Sequence, residues 1–149
     1  MTIGLDTNVL VYTANTKDLA RHTIAMEVDY RAGAADSVLT LQSLAEFVRV
    51  MTGKVGMTHA DVRRYIDAWR RVFRVKAADE RAFGDALEAM AEHSIPIFDA
   101  LLWATARRAG CTTIPTEDFQ DGRGLGGVTF LNPFDPKNAR RLDRILPKL

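Results

Sequence analysis

The sequence has one cysteine and three histidines, and none of them stands in a recognisable cluster. Cys111 has no partner for an intramolecular disulfide, and His22, His59 and His93 lie far apart without zinc-ligand spacing. No apolar run approaches the roughly twenty residues needed to cross a bilayer, and no leader precedes the first predicted strand. We therefore expect a cytoplasmic protein with no structural zinc, no disulfide and no membrane contact.

The chain also lacks an excess of charge of one sign. Lys and Arg total 20 against 19 Asp and Glu, so the formal net charge is +1, and any surface for nucleic acid must be local. Basic residues do cluster twice, at residues 63–74 and at residues 137–148. Each cluster is either a solvated helix face or a surface for RNA, and the sequence leaves both interpretations open.

Strand-like and helix-like segments alternate along the 149 residues, which predicts one domain over residues 1–149. A helix is expected to start just after Asp6. The other predicted helices are 16–31, 42–51, 60–73, 79–93 and 100–109. The predicted strands are 3–5, 37–41, 74–76, 111–114 and 128–131, and a glycine-rich loop is expected at 117–127. This alternation indicates an α/β fold with a parallel sheet covered on both faces.

Four acidic residues stand at element ends among residues that would otherwise belong to the core. They are Asp6 in IGLDTNVLVY, Glu46 in LQSLAEFVRV, Asp99 in IPIFDALLWATA and Asp118 in TIPTEDFQDG. Taken singly, each has an ordinary interpretation as a cap, a first-turn acid, a loop residue or an exposed helical position. Buried together, they are costly unless a cation neutralises them. Ligands that are all oxygen select Mg²⁺ or Mn²⁺ over zinc, so the joint pattern predicts such a metal site.

Several polar residues near the acids are candidates for support. Asn8 could hydrogen-bond to Asp6 or to a metal-bound water, and Thr116 could do the same in the last motif. Gln42 could line the same crevice, one helical turn before the glutamate. Thr7 and Asn8 serve equally well as helix caps, and Asp121 is either a fifth acid or a turn residue beside a glycine.

Four motifs carry a resemblance to a known family across nearly the whole chain and in order. The motifs DTNVL, LQSLAEF, FDALLWATA and TEDFQDG resemble those of the PIN-domain ribonucleases, in particular the VapC-type toxins of bacterial toxin–antitoxin pairs. One departure is Pro115, where the family usually has an apolar strand residue, and this bears on whether Asp118 or Asp121 points into the site.

The resemblance implies a three-layer α/β/α PIN-like fold around a central, mainly parallel sheet. It also implies RNA cleavage that depends on Mg²⁺ or Mn²⁺, a homodimer, and a small antitoxin protein that blocks the site. The residues that carry over are Asp6, Glu46, Asp99 and Asp118 as catalytic and metal-binding acids, with Asn8 and Thr116 as supporting positions. The alternative is a protein of the same fold that binds RNA or a partner without cutting.

Overall fold

The structure is a computed structural model that describes residues 1–149 and contains six strands and seven α-helices. The strands are β1 Thr2–Leu5, β2 Ser37–Thr40, β3 Arg74–Lys76, β4 Cys111–Pro115, β5 Gly124–Leu125 and β6 Val128–Leu131. The helices are α1 Thr7–Ala14, α2 Leu19–Gly33, α3 Leu41–Val50, α4 His59–Val72, α5 Glu80–His93, α6 Ile97–Arg108 and α7 Ala139–Ile145. A π-helical turn, Met51–Val55, and a short 3-10 helix, Pro136–Asn138, complete the secondary structure. None of the helices has the length and apolar character needed to span a bilayer.

All strands form one sheet in the order β3-β2-β1-β4-β6-β5. Five of them run parallel, and only the edge strand β5 pairs antiparallel, with β6. The chain builds outward from β1 in one direction and from β4 in the other, so the connection order reverses between these two strands. Ligands of open α/β sheets bind in the crevice at such a switch point, outside the carboxyl ends of the strands.

Two separate apolar cores cover the two faces of the sheet. On one face, side chains of α1, α2, α3, α4 and α7 pack on Ile3 and Leu5. On the other face, α5 and α6 pack on Ile114, Val128 and Phe130. Helices therefore cover both faces of a mainly parallel sheet, and the predicted three-layer α/β/α fold is confirmed.

Five helix starts differ from the predicted boundaries by one to three residues, and caps explain the shifts of α2 and α3. The first long helix begins at Leu19 instead of residue 16, because the Asp18 side chain accepts from the backbone N–H of Arg21 at 3.1 Å. Strand β2 ends one residue early, because Thr40 caps α3 through the N–H of Ser43 at 3.0 Å. Helix α6 starts at residue 97, three residues before the predicted position, directly after Pro96.

The predicted glycine-rich loop at 117–127 contains a strand that the sequence analysis missed. Residues 124–125 pair with β6 in a tight hairpin, whose turn has positive φ angles of 54° at Gly126 and 82° at Gly127. A Cβ at Gly126 would lie 2.9 Å from the Trp103 ring, so this turn requires glycine for its backbone angle and for its space. The hairpin fixes the second half of the loop and leaves the first half at the carboxyl edge of β4.

Candidate metal centre

Asp6 directly follows β1 and caps α1, which places its carboxylate at the carboxyl edge of the sheet. One oxygen accepts from the Thr7 backbone N–H at 2.7 Å and the other from the Thr116 hydroxyl at 2.7 Å. Burial raises the pKa of Asp6 to about 7; the two hydrogen bonds oppose the rise, and the charges of Asp118 and Asp99 add to it. A carboxyl with this pKa is ionised at neutral pH only in part, and a nearby cation would favour the charged form.

Asn8, in the first turn of α1, joins Asp6 to the last motif. Its Nδ2 donates to the Thr116 hydroxyl and to a carboxylate oxygen of Asp118, both at 3.0 Å, and lies 3.5 Å from the Asp6 carboxylate. The Thr116 hydroxyl also accepts from the Asp118 backbone N–H at 3.1 Å. The two polar residues singled out from the sequence thus stand between the first and the last acid and orient both.

Glu46 faces the same crevice from the second turn of α3. Its carboxylate accepts from the Thr7 hydroxyl at 2.8 Å and from Gln42 Nε2 at 2.9 Å. The same Gln42 nitrogen donates to the Phe98 backbone carbonyl at 2.9 Å, which connects α3 to the start of α6. These bonds hold Glu46 between the helix that follows Asp6 and the helix that carries Asp99.

Asp99 lies in the first turn of α6, and its carboxylate accepts no hydrogen bond within the protein. Burial raises the pKa of Asp99, and the charges of Asp118 and Glu46 raise it further. Because Asp99 and Asp118 also act on Asp6, the four carboxylates interact across one crevice. We call Asp6, Glu46, Asp99 and Asp118 the acid cluster.

Two unpaired oxygens beside the acid cluster bear on whether it suits a metal ion. Asn8 Oδ1 and Gln42 Oε1 are buried without a partner, while the amide nitrogens of the same two side chains already donate hydrogen bonds. Such oxygens require donors, which the waters around a hydrated cation supply. No three side chains are already arranged to hold one ion in common. An ion such as Mg²⁺, which keeps several waters and binds few carboxylates directly, fits this set of oxygens.

The family follows from a sequence model of the PIN domain, which matches residues 3–120. The chain belongs to the PIN-domain family. The match includes all four acids, so the resemblance carried by the four motifs is confirmed at the level of the family. No curated protein shows significant similarity to this sequence.

Solved structures with the same fold include a toxin, a toxin–antitoxin complex and an assembly bound to DNA. Mycobacterium tuberculosis VapC20, a toxin that cleaves the sarcin-ricin loop, is 23% identical with a TM-score of 0.63, covering 85% of this chain and 98% of that one. A toxin–antitoxin complex from Klebsiella pneumoniae is 20% identical with a TM-score of 0.62, covering 88% and 97%. FitAB bound to a DNA fragment is 20% identical with a TM-score of 0.64, covering 89% and 96%. At these identities the likeness concerns the fold.

Asp121 of this PIN domain is hydrogen-bonded away from the acid cluster. Its Oδ1 accepts from the Asn132 backbone N–H at 2.8 Å, and both of its oxygens accept from Asn138 Nδ2, at 2.9 and 3.0 Å. We call Asp121, Asn132 and Asn138 the loop anchor. Pro115, the departure from the family pattern, ends β4 opposite Leu131 and does not prevent Asp118 from reaching Asn8.

Two residues with contacts in or beside the site were not predicted to have a role there. Thr7 was interpreted only as a cap, but its hydroxyl holds Glu46. Glu117 was left out of the candidates because better ones flank it, but its carboxylate accepts from the Tyr12 hydroxyl at 2.7 Å and from Arg21 Nε at 2.9 Å. A spacing of four residues between Asn8 and Tyr12 on one helix was the available signal, because such residues share a face.

Proposed function

We propose that this PIN domain is an endoribonuclease that depends on Mg²⁺ or Mn²⁺ and hydrolyses RNA phosphodiester bonds. The observation that carries the proposal is the convergence of four carboxylates, from four different elements, at the switch point of the sheet. The charge of the cluster is poorly compensated by the protein, which is the usual sign of a site that works on a cation or a reacting group. The family match and the fold likeness to a toxin that cleaves RNA support this choice.

Each acid has a role that its hydrogen bonds suggest. Asp6 and Asp118, oriented by Asn8 and Thr116, would hold the ion from the two central strands. Asp99, which accepts no hydrogen bond, has both oxygens free for the ion or its waters. Glu46 would complete the shell from α3. A divalent ion bound there supplies an activated water and shields the charge of the scissile phosphate.

RNA cleavage by the purified protein tests the proposal. Wild type should cut RNA with Mg²⁺ or Mn²⁺ and stop when EDTA is added, and Asp6→Asn should not cut. Asp29→Asn is a matched control, because burial raises the pKa of Asp29 to about 6, but this carboxylate accepts from Trp69 Nε1 in a groove that none of the four acids lines. Control activity should equal that of wild type. RNA binding without metal-dependent cleavage would contradict the proposal and support the alternative, a protein of the same fold that binds RNA without cutting it.

We further propose that the chain is the toxin of a type II toxin–antitoxin pair, with a small antitoxin protein as its partner. Solved structures of the same fold include a toxin–antitoxin complex. A crevice lined by carboxylates suits a partner arginine, which pairs with carboxylates through two parallel hydrogen bonds. Expression of the chain alone should arrest growth, and the adjacent small open reading frame should relieve the arrest. Harmless expression of active, folded protein would remove the toxin assignment and leave the nuclease assignment.

The chain also presents apolar side chains that suit a homodimer. Five large apolar residues on α3, α5 and the start of α6 are exposed: Leu41, Val48, Phe83, Leu87 and Phe98. Exposed apolar residues of this number on neighbouring elements favour a surface covered by another chain. Light scattering coupled to size-exclusion chromatography should give the mass of a dimer, and a monomer at all concentrations would contradict this assignment.

A further inference from the structure

The carboxylate of Glu117, the residue directly before Asp118, is held by donors from two helices. The Tyr12 hydroxyl, from α1, donates to Oε1 at 2.7 Å, and Arg21 Nε, from α2, donates to Oε2 at 2.9 Å. Only 20% of the Glu117 side chain is exposed. Glu117 therefore has a fixed position in the loop and is not a free surface acid, although none of its contacts involves the acid cluster.

Both donors are themselves held in place. Arg21 Nη1 pairs with Asp18 at 3.0 Å, and its guanidinium lies 5.8 Å from the centre of the Tyr12 ring and 5.6 Å from that of Phe134. The two rings pack edge to face at 5.1 Å. Burial raises the pKa of Tyr12 to about 12, and the bond to Glu117 adds to the rise, so the hydroxyl remains a donor across the physiological range. The arrangement is rigid because each member has at least two contacts.

One face of α1 contacts two consecutive residues of the loop. Asn8 binds the carboxylate of Asp118, and Tyr12, one helical turn later, binds the carboxylate of Glu117. Asp118 is thus fixed through its own side chain and through its neighbour. Without the two bonds to Glu117, this part of the loop would be held mainly by the bond from the Asp118 N–H to the Thr116 hydroxyl. The loop could then turn the Asp118 carboxylate away from Asp6.

We propose that Glu117, Tyr12 and Arg21 form a clamp that positions Asp118 and thereby sets the affinity of the acid cluster for its divalent ion, an inference that rests on the proposed function. The three are positioning residues, since none of them forms a hydrogen bond with a carboxylate of the acid cluster. Partners of this kind behind metal ligands typically change metal affinity or activity by about 10- to 100-fold. Loss of the clamp should change metal affinity by about 10-fold, the lower end of this range, because Asn8 still orients Asp118 when Glu117 is lost.

Metal-induced thermal stabilisation tests the clamp without relying on cleavage. The melting temperature of wild type, Glu117→Ala and Tyr12→Phe is measured against increasing Mn²⁺, and the half-saturating concentration is read from each curve. Glu117→Ala should raise that concentration about 10-fold and Tyr12→Phe about 3-fold, because the second variant removes one of two bonds. Tyr12→Phe keeps the ring packing, so it remains informative if Glu117→Ala does not fold.

A second arginine–carboxylate pair provides a matched control. Arg108 Nε lies 2.6 Å from Asp85, and the two side chains are 42% and 21% exposed, against 41% and 20% for Arg21 and Glu117. Asp85→Asn breaks an equivalent pair at the far end of α6. It should lower the metal-free melting temperature to a similar extent and leave the half-saturating Mn²⁺ concentration unchanged.

A double-mutant cycle separates positioning from general weakening of the fold. If Glu117 acts through Asp118, then Glu117→Ala should change the half-saturating Mn²⁺ concentration less than 2-fold when Asp118→Asn is already present. Wild-type affinity in Glu117→Ala, or an undiminished effect in the double variant, would overturn the clamp alone. Failure of wild type to respond to Mn²⁺ or Mg²⁺ at all would overturn the proposed function and the clamp with it.

Discussion

Asp118 and Asp121 stand three residues apart in TEDFQDG and belong to regions with opposite electrostatic character. In the loop anchor, burial alone would raise the pKa of Asp121, but the bonds from Asn132 and Asn138 and the charges of Lys137 and Arg141 together lower it. The protein itself thus favours the charged form of Asp121. The protein satisfies the hydrogen bonding and the charge of this carboxylate without an external cation. Asp121 joins the loop to the residue after β6 and to the segment before α7.

The acid cluster shows the reverse balance. Burial raises the pKa of Asp6 to about 7 and also raises that of Asp99, and the neighbouring carboxylates add to both shifts. Asp6 accepts two hydrogen bonds, but burial and the neighbouring carboxylates outweigh them, and Asp99 accepts none. The comparison teaches that a carboxylate whose donors and nearby cations outweigh its burial stabilises the fold. Carboxylates whose burial and mutual repulsion outweigh their donors need an external cation and mark a functional site.

Neutralising one acid of the cluster should give the largest effect. Asp99→Asn should lower the rate of RNA cleavage by about 100- to 1,000-fold, the equivalent of several kcal/mol of transition-state stabilisation. Circular dichroism should show an intact fold, because Asp99 accepts no hydrogen bond in the protein. Glu80→Gln, which removes the first-turn acid of α5, is the control and should keep wild-type activity. Equal rates for Asp99→Asn and wild type would exclude Asp99 from the site.

The pH dependence of stability should also distinguish the two regions. The raised pKa of Asp6 favours the protonated form in the fold, so its contribution is present below pH 4 and is lost as pH rises through about 7. In EDTA, the free energy of unfolding of Asp6→Asn relative to that of wild type should therefore rise by about 2–4 kcal/mol when the pH is raised from 4 to 8. Urea unfolding at both pH values measures this change. Parallel pH profiles for the two proteins would show that Asp6 does not titrate in this window.

Removing the carboxylate of the loop anchor should weaken the fold and spare the chemistry. Asp121→Ala leaves the Asn132 N–H without its acceptor and the buried Asn138 Nδ2 with only the Asn132 carbonyl, which should cost about 1–3 kcal/mol in the free energy of unfolding. Cleavage per folded molecule should stay unchanged. Asp118→Ala, in the same loop, should give the opposite result. Loss of cleavage in fully folded Asp121→Ala protein would place Asp121 in the site as a fifth acid.

The smallest expected effect concerns RNA contacts near the loop anchor. Arg63 and Arg64 already pair with Asp67 and Asp61 on α4, at 3.5 and 3.1 Å. Arg140 and Arg141 form no ion pair. Replacing Arg140 and Arg141 by Ala should reduce the salt slope of RNA binding by about 1–2, and the Arg63 and Arg64 pair should matter less. Binding is measured in Asp99→Asn protein to prevent cleavage. Salt slopes equal to that of the protein with all four arginines would show that both basic clusters are solvated helix faces without RNA contacts.

The sequence was most informative where local pattern and local capping agree. Asp6 followed by two further polar residues predicted a strand end and a helix start, and α1 begins at Thr7. The helix predicted at 79–93 runs from Glu80 to His93, and Asp79 caps it by accepting from the Ala82 N–H at 2.8 Å. The missed hairpin at β5 is the contrary case. Its two residues are too few for a periodic pattern, and they form a strand only because β6 lies beside them.

The sequence by itself predicted neither β5 nor α7, but it determined most of the order of elements and the parallel sheet, and it singled out the four acids of the candidate site. Those follow from apolar periodicity and from carboxylates set among apolar neighbours, which are local properties of the chain. Only the tertiary structure decided which acid of TEDFQDG faces the others. Asp118 turns toward Asn8, 110 residues away in sequence, and Asp121 toward Asn138, 17 residues away. The direction of a loop side chain depends on donors that the fold brings to it, and no local pattern contains them.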